Sequence, residues 1–310
     1  MNTLNICLLG AAKRNEFIRR LKTTALELGF DLAISSVEID RDKFYPISGE
    51  VEIIEGPKFT DLIEFNLFAK NSLSKYDLII PLMDSACLAL AFAVESGNLS
   101  QKQSLVSNFS FVDLCVDKQK FANTLSLEFL PRIPNSPNKF PKIAKPNRGY
   151  GSKGLIHIPN EEKLNSLEQA GLLIQDFIDG PEVTLDAFFD YDGVFIQGIA
   201  RDRLEIIDGE VNHLVTRDLS KLELSMLVEL GSLGCKGPIN LQTKGFNDSV
   251  FVLEINPRFG GGCTASMEAG MDLIKMSIDS WILSKSVTPY EVSHVEMVRS
   301  RKDYFRKVSN

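Results

Sequence analysis

The stretch Phe251-Val-Leu-Glu-Ile-Asn-Pro-Arg-Phe-Gly-Gly-Gly262 decides how this chain is read. As a strand it alternates: Phe251, Leu253 and Ile255 point one way, and Val252, Glu254 and Asn256 the other. Two oxygen-bearing side chains then share a face, roughly 6.5 Å apart along the strand. Hard cations such as Mg²⁺ take oxygen ligands at that kind of spacing and complete their shell with substrate phosphates. Pro257 ends the ladder because it has no N–H to donate. Arg258 follows with a rigid fork of donors suited to a phosphate or an acyl phosphate. Three glycines behind it let backbone come close to a ligand. The competing reading is a strand with a polar face and a glycine turn. Glu-x-Asn alone favours that reading, and the Pro-Arg and glycines that follow reverse the balance.

Gly237 to Lys244 and Val250 to Asn256 read as an antiparallel hairpin about the turn Gly245 to Asp248. Gln242 lies on the first arm, where its side-chain oxygen can join Glu254 and Asn256 around a metal. Upstream, Tyr191-Asp-Gly193 turns into a strand or strand pair over Val194 to Ile207. Arg201 and Arg203 share a face there, suited to an acidic substrate or to paired surface charges. Leu172 to Phe189 reads as two strands joined at Asp179-Gly-Pro181, a strong turn signal. An exposed strand end at such a turn offers backbone groups to an adenine edge, and Glu182 either accepts ribose hydroxyls or is a solvated strand residue. Earlier still, Pro141-Lys-Ile-Ala-Lys-Pro-Asn-Arg-Gly-Tyr-Gly-Ser-Lys-Gly154 is a short strand ending at Lys145 and then a glycine-rich loop. Gly149, Gly151 and Gly154, with Ser152, free backbone N–H groups to curl around phosphate, and Lys145 adds a point charge. A glycine-rich hairpin turn without a ligand reads equally well there. The lysine precedes the loop, so this is not a P-loop.

The first hundred residues read as strand–helix alternation, which predicts a mostly parallel sheet. Leu4 to Leu9 is a buried strand ended by Gly10; Phe17, Ile18, Leu21, Ala25 and Leu28 recur at helical spacing before Gly29. Asp31 to Val37 and Tyr76 to Pro81 supply further strands, and Asp84 and Ser85 start an apolar helix reaching about Glu95. The loops after Gly10 and Pro81 lie at carboxyl ends of strands, where such sheets bind ligands. Asp84 is therefore a helix cap first and a substrate contact second. Val112 to Lys118 reads as a strand leading into a helix, with Asp117 as a cap and the helix running from Lys118 to about Glu128. Pro131, Pro134, Pro137 and Pro141 then mark an extended loop. Met267 to about Leu283 reads as one final core helix carrying Met271, Ile274, Ile278, Trp281 and Ile282.

At 310 residues the chain can bury a substantial core in two or three domains. A formal charge of −7 argues against a general nucleic-acid binder. Five scattered cysteines form no C-x-x-C pair, which signals neither zinc nor disulfides and fits a reducing, cytoplasmic setting. The N-terminus lacks the marks of a signal peptide, and the apolar run from Ala86 to Val94 is too short to span a bilayer. The basic stretch from Arg299 to Lys307 reads as a solvated terminal helix.

Taken in order, Asp117-Lys118, Ile143-Ala-Lys-Pro146 with the glycine loop, Gln175-Asp-Phe-Ile-Asp-Gly-Pro-Glu182 and Glu254-Ile-Asn-Pro-Arg258 resemble the ATP-grasp superfamily, in its carbamoyl-phosphate-synthase-like branch. The resemblance implies an α/β and α+β fold: a Rossmann-like preceding domain over 1–107, then the two ATP-grasp subdomains over 108–178 and 179–290, and a basic tail over 291–310. It implies ATP with Mg²⁺ (or Mn²⁺) as cofactor. Lys118 and Lys145 match the phosphate-binding basic positions, and Gly149 to Gly154 the lid loop. Gln175, Asp176, Phe177 and Ile178 match the adenine hinge, and Glu182 the ribose contact. Gln242, Glu254 and Asn256 match the metal ligands, and Arg258, with Lys145, the groups on the transferring phosphoryl. Two departures stand out. Asp176 replaces the usual glutamate of the hinge, and Glu254 is the one carboxylate of the metal set, which predicts heavier reliance on ATP phosphates.

The implied activity is an ATP-dependent ligase joining a carboxylate to an amine through an acyl phosphate, with small-molecule partners, no nucleic acid or membrane, and a homodimer as the common family assembly. Asp84, Arg201 and Arg203 are its candidate substrate contacts. The alternatives are a carboxyphosphate- or carbamoyl-phosphate-forming protein and an ATP-binding module without chemistry.

Overall fold

The computed structural model describes residues 2–40, 47, 49–124, 130, 132–149, 154–167, 171–207, 209–246 and 249–300. The first sheet is parallel: β1 (Asn2–Leu9), β2 (Phe30–Glu38), β3 (Glu52–Glu55) and β4 (Leu78–Pro81) lie in the order β3-β2-β1-β4. Successive residues of β1 feed opposite layers. Leu4, Ile6 and Leu8 pack with α1 (Asn15–Glu27). Cys7 and Leu9 pack with α2 (Leu62–Phe68) and α3 (Asp84–Glu95). Helix α1 buries Phe17, Ile18, Leu21 and Ala25, the spacing read from the sequence, and Gly29 ends it at φ 83°. The short β3 and α2 have no counterpart in the sequence reading.

Val112 to Lys118 does not begin as a strand. Helix α4 (Phe109–Val116) occupies it and buries Phe111, Val112, Leu114 and Cys115. An apolar run this short is compatible with either period, and packing against α3 and the C-terminal sheet decides for helix. Helix α5 (Lys118–Thr124) follows, with Asp117 Oδ1 accepting from Lys120 N at 2.8 Å. The end of the helix expected to reach Glu128 lies outside the described residues.

The second sheet is small and antiparallel: β5 (Lys142–Pro146) runs between β6 (Ile156–Ile158) and β7 (Leu172–Asp176). Helix α6 (Glu161–Asn165) follows β6, with Asn160 Oδ1 as its cap. The third sheet is antiparallel and large. Its strands are β8 (Glu182–Phe189), β9 (Phe195–Ile207), β10 (Glu210–Arg217), β11 (Gly237–Phe246), β12 (Ser249–Asn256) and β13 (Glu296–Val298), in the order β12-β11-β8-β9-β10-β13. Residues 172–189 thus form two strands, as read, but they belong to different sheets, and Asp179-Gly180-Pro181 carries the chain between them. Helix α7 (Lys221–Gly231) covers the large sheet's apolar face, where Leu185, Ala187, Ile239 and Leu241 meet Met226, Leu227 and Leu230. Residues 301–310, most of the basic stretch, lie outside the described residues.

The final helix is not continuous. It divides into α8 (Cys263–Glu268), α9 (Leu273–Ser277) and a π-turn over Ile278–Ile282. Gly270 makes the break at φ 110°, where a Cβ would stand 2.5 Å from the Glu291 carbonyl oxygen, and Asp272 caps the restart. Met271, Ile274, Ile278 and Trp281 still enter the core, because the break preserves the buried side. These helices also complete one layer of the first sheet. Phe17 and Phe259 meet at a tilt of 59° with centroids 4.8 Å apart, and Trp281 donates to the Ser104 carbonyl at 3.0 Å. No described helix is long and apolar enough to cross a membrane.

One buried ion pair holds the small sheet. Lys142 Nζ lies 2.9 Å from Asp176 Oδ1, with both side chains almost fully enclosed, and Ser136 donates to the same carboxylate. Lys142→Ala removes the buried cation and leaves that carboxylate only the exposed Lys139, at 3.6 Å. The expected cost is about 3–5 kcal/mol in denaturant-induced unfolding.

Candidate functional site

Register assembles a polar face on the large sheet. Gln242 stands opposite Glu254, and Asn240 opposite Asn256. Across the next strand, Asn240 faces Asp186, Gln242 faces Thr184 and Lys244 faces Glu182. Because side chains alternate, Glu182, Asn240, Gln242, Lys244, Glu254, Asn256, Arg201 and Arg203 all project to one side. A bulge corrects one detail of the alternation. Pairing jumps from Gln242↔Glu254 to Thr243↔Val252, so Val252 joins Ile255 in the core instead of sharing the face of Glu254.

Asn256 Nδ2 donates to Asn240 Oδ1 at 3.1 Å and to Glu254 Oε1 at 3.2 Å, which leaves the Asn256 oxygen facing Arg258 Nη2 at 3.3 Å. Gln242 Oε1 accepts from Arg203 Nη1 at 2.9 Å. Among the described residues no cluster of three or more His, Cys, Asp or Glu side chains could hold a metal. One carboxylate and two amide oxygens fit a Mg²⁺ ion that draws most of its ligands from phosphates, provided the amides give up their arginine donors.

The small sheet carries the other candidates. Ile143 and Lys145 share a face of β5 with Gln175 and Leu173 of β7 and His157 of β6. Burial lowers the pKa of the Lys145 ammonium; Glu254 raises it, and Lys118 lowers it further. Lys145 thus lies within electrostatic reach of the carboxylate on the other sheet. Lys118, at the start of α5, donates from Nζ to the Gly149 carbonyl at 2.8 Å, and its backbone N–H reaches Asn147. Gly154 sits at φ 76° against Pro146. Gly151 and Ser152 lie outside the described residues. Where the chain passes from one sheet to the other, Lys244 Nζ stands 5.6 Å from the Phe177 ring centroid, and Gly245 N donates to the Pro181 carbonyl. Glu182 receives Arg203 at 3.2 Å and Lys244 at 3.3 Å.

Several candidates have partners that the sequence did not announce. Asp84 does not cap α3: Met83 precedes the helix, and the Asp84 carboxylate takes Arg258 Nε at 2.6 Å and Nη2 at 3.0 Å. Burial disfavours the Arg258 charge, but Asp84 outweighs it and holds the guanidinium protonated beyond its ordinary range. Arg201 is fully buried and grips Asp186 through Nε and Nη2, with Ser266 on the same carboxylate. It buttresses the glycine loop from below and is not open to a substrate. Asp176 likewise spends its side chain on Lys142 and Ser136, leaving only backbone for a hinge. Gln175 Nε2 reaches the Ile133 carbonyl at 3.4 Å. Asn240 and Lys244 were not among the sequence candidates, although period-two spacing from Gln242 marks both.

A Cβ on Gly262 would stand 2.3 Å from Arg201 Nη1, and Asp186 keeps that guanidinium from moving away. Gly262→Ala is expected to lower stability by about 1–3 kcal/mol. At Gly261 an added Cβ meets only Arg14 Nη1, at 3.8 Å, so Gly261→Ala should unfold at the unsubstituted protein's denaturant concentration.

A family model described as ATP-grasp in the biosynthetic pathway with Ter operon matches residues 168–302. The carbamoyl phosphate synthase large chain of Thermoanaerobacter sp. (strain X514) is 24% identical over 211 residues, covering 56% of this chain and 19% of that protein. The chain therefore spans under a fifth of the length of the first curated relatives it matches. Biotin carboxylase from Campylobacter jejuni superposes with a TM-score of 0.70 at 17% identity, over 94% of this chain and 74% of that one. N5-carboxyaminoimidazole ribonucleotide synthetase from Thermus thermophilus also gives 0.70, at 16% identity, over 94% of this chain and 82% of that one.

Proposed function

We propose that this chain, which has the ATP-grasp fold, is an ATP-dependent ligase that activates a carboxylate as its acyl phosphate and passes it to an amine, releasing ADP. The observation that carries the reading is the register of the large sheet, which gathers Gln242, Glu254 and Asn256 on one face, with Arg258 on the Asn256 oxygen. A carboxylate flanked by amide oxygens, with the Lys145 ammonium of the small sheet sensing its charge, suits a metal-bound triphosphate that engages both.

The backbone after β7, with Phe177 and Ile178, takes the adenine edge, and Glu182 the ribose. Lys118 and Lys145 neutralise phosphate charge. Gln242, Glu254 and Asn256 would hold Mg²⁺, which would neutralise charge on the phosphoryl oxygens. No protein nucleophile is required. The substrate carboxylate attacks the γ-phosphorus, ADP leaves, and the amine then displaces phosphate from the acyl carbon. Arg258, fixed bidentately by Asp84, aims its remaining donors at the phosphoryl group.

The test is ADP release in a coupled assay across a carboxylate-by-amine matrix. ADP that requires both substrates, with an amide product by mass spectrometry, is expected. ADP formed with bicarbonate alone points instead to carboxyphosphate chemistry. Tight ATP binding without turnover on any pair points to a binding module, a reading that the arginine-engaged Gln242 and Asn256 oxygens favour.

A further inference from the structure

Beside the Asp186-paired Arg201, three guanidinium groups donate to carbonyls of the glycine loop after Pro257, and among the described residues only two of those three have an acid. Arg14 donates from Nη2 to the Phe259 carbonyl at 3.4 Å and from Nη1 to the Gly260 carbonyl at 2.8 Å. Arg258 donates from Nη1 to the same Phe259 oxygen at 3.3 Å. Arg299 donates from Nη2 to the Gly261 carbonyl at 2.7 Å. Asp84 balances Arg258, and Glu210 balances Arg299 at 2.9 Å. Among the described residues, Arg14 forms no ion pair; its other contact is the Leu82 carbonyl at 3.1 Å. Burial and the neighbouring Arg258 charge both lower its pKa.

Two like charges sharing one carbonyl oxygen, in a half-buried position with one positive charge in excess, form an arrangement that an anion would complete. The position suits a substrate. Arg14 stands in the loop at the carboxyl end of β1, where parallel sheets bind ligands, and Gly261 beside it is exposed. The loop is also fixed in place. Glu38, buried at the end of β2, accepts from Ala11 N at 2.7 Å and from Ser36 Oγ at 2.8 Å. Arg258 spans the gap, touching Asn256 on the phosphate side and Phe259 on the Arg14 side.

We propose that the carboxylate substrate carries a second, non-reacting acidic group and that Arg14 binds it, while Arg258 attends the reacting end. This rests on the ligase reading of the same site. Arg14 is then a specificity residue that discriminates dianionic from monoanionic carboxylates.

The test uses three probes at fixed ionic strength, in the presence of the non-hydrolysable nucleotide AMP-PNP and Mg²⁺: malonate, phosphonoacetate and acetate. Thermal-shift titrations of the full chain read the affinity of each. Malonate or phosphonoacetate is expected to bind roughly tenfold or more tightly than acetate, and whichever wins identifies the second group as carboxylate or phosphate. Arg14→Gln should remove that advantage while keeping the shift caused by AMP-PNP. Arg14→Lys keeps the charge but not the fork, and should retain only part of the advantage. Equal affinity for all three probes, or an advantage undiminished in both variants, overturns the proposal. Absence of an AMP-PNP shift in the unsubstituted protein would instead strike at the nucleotide site itself.

Discussion

Glu254→Ala is expected to reduce ATP turnover by roughly 10²–10³-fold or more, the effect of removing a preorganised group from a phosphoryl-transfer site. The other described carboxylates on that face, Glu182 and Asp186, are held by Arg203, Lys244 and Arg201, so neither replaces the charge of Glu254. Its loss also deprives Lys145 of the nearby charge that favours its protonated form. Two faults then combine: weaker metal retention and a less cationic phosphate cradle. The fold should survive, because Glu254 is only partly buried and the hydrogen bond it accepts from Asn256 is a long one, at 3.2 Å. Circular dichroism and unfolding midpoint should therefore match the unsubstituted protein while ADP release collapses. Turnover that persists within a few-fold would remove Glu254 from the metal set.

Arg258→Ala carries the second large effect, expected near 10³-fold in kcat with a smaller change in the KM for ATP. Its guanidinium is held by Asp84 on α3, so the first sheet's helix aims a residue of the last sheet's exit loop. Removing it leaves a part-buried carboxylate beside the phosphates, where like charge repels. Asp84→Asn should reproduce part of the loss, since Arg258 keeps its place against the Phe259 carbonyl but loses its bidentate anchor. If Arg258→Ala raised KM for ATP and left kcat unchanged, the residue would serve binding, not the transferring group.

What the sequence disclosed, and what it withheld, follows from range. Pro257, the turn at 179–181 and the period-two spacing of Gln242, Glu254 and Asn256 are local signals, and each stands where it was read. The helix from Phe17 was equally local. Strand β3 is four residues long, too short to show a period, and it exists because β2 pairs with it. The break at Gly270 is silent in the apolar stripe, since Met271 and Ile274 keep to the core on either side of the cap. The bulge at Gln242/Thr243 shifts Val252 without any residue in β12 announcing it. The longest-range partners were the least legible. Asp84 and Arg258 are 174 residues apart, and Arg14 and Gly260 are 246 apart. Arg201 read as a substrate contact because its neighbour Asp186 belongs to another strand, and only the register brings them into a buried pair.

A double-mutant cycle by calorimetry addresses the central claim most directly: AMP-PNP with Mg²⁺ titrated into the unsubstituted protein, Lys145→Ala, Glu254→Ala and the double variant. The two residues come from different sheets, 142–146 and 249–256, and the account joins them through one triphosphate. It predicts measurable binding by the unsubstituted protein and a coupling between the two substitutions larger than about 0.5 kcal/mol. No heat from nucleotide, or losses that simply add, would contradict it.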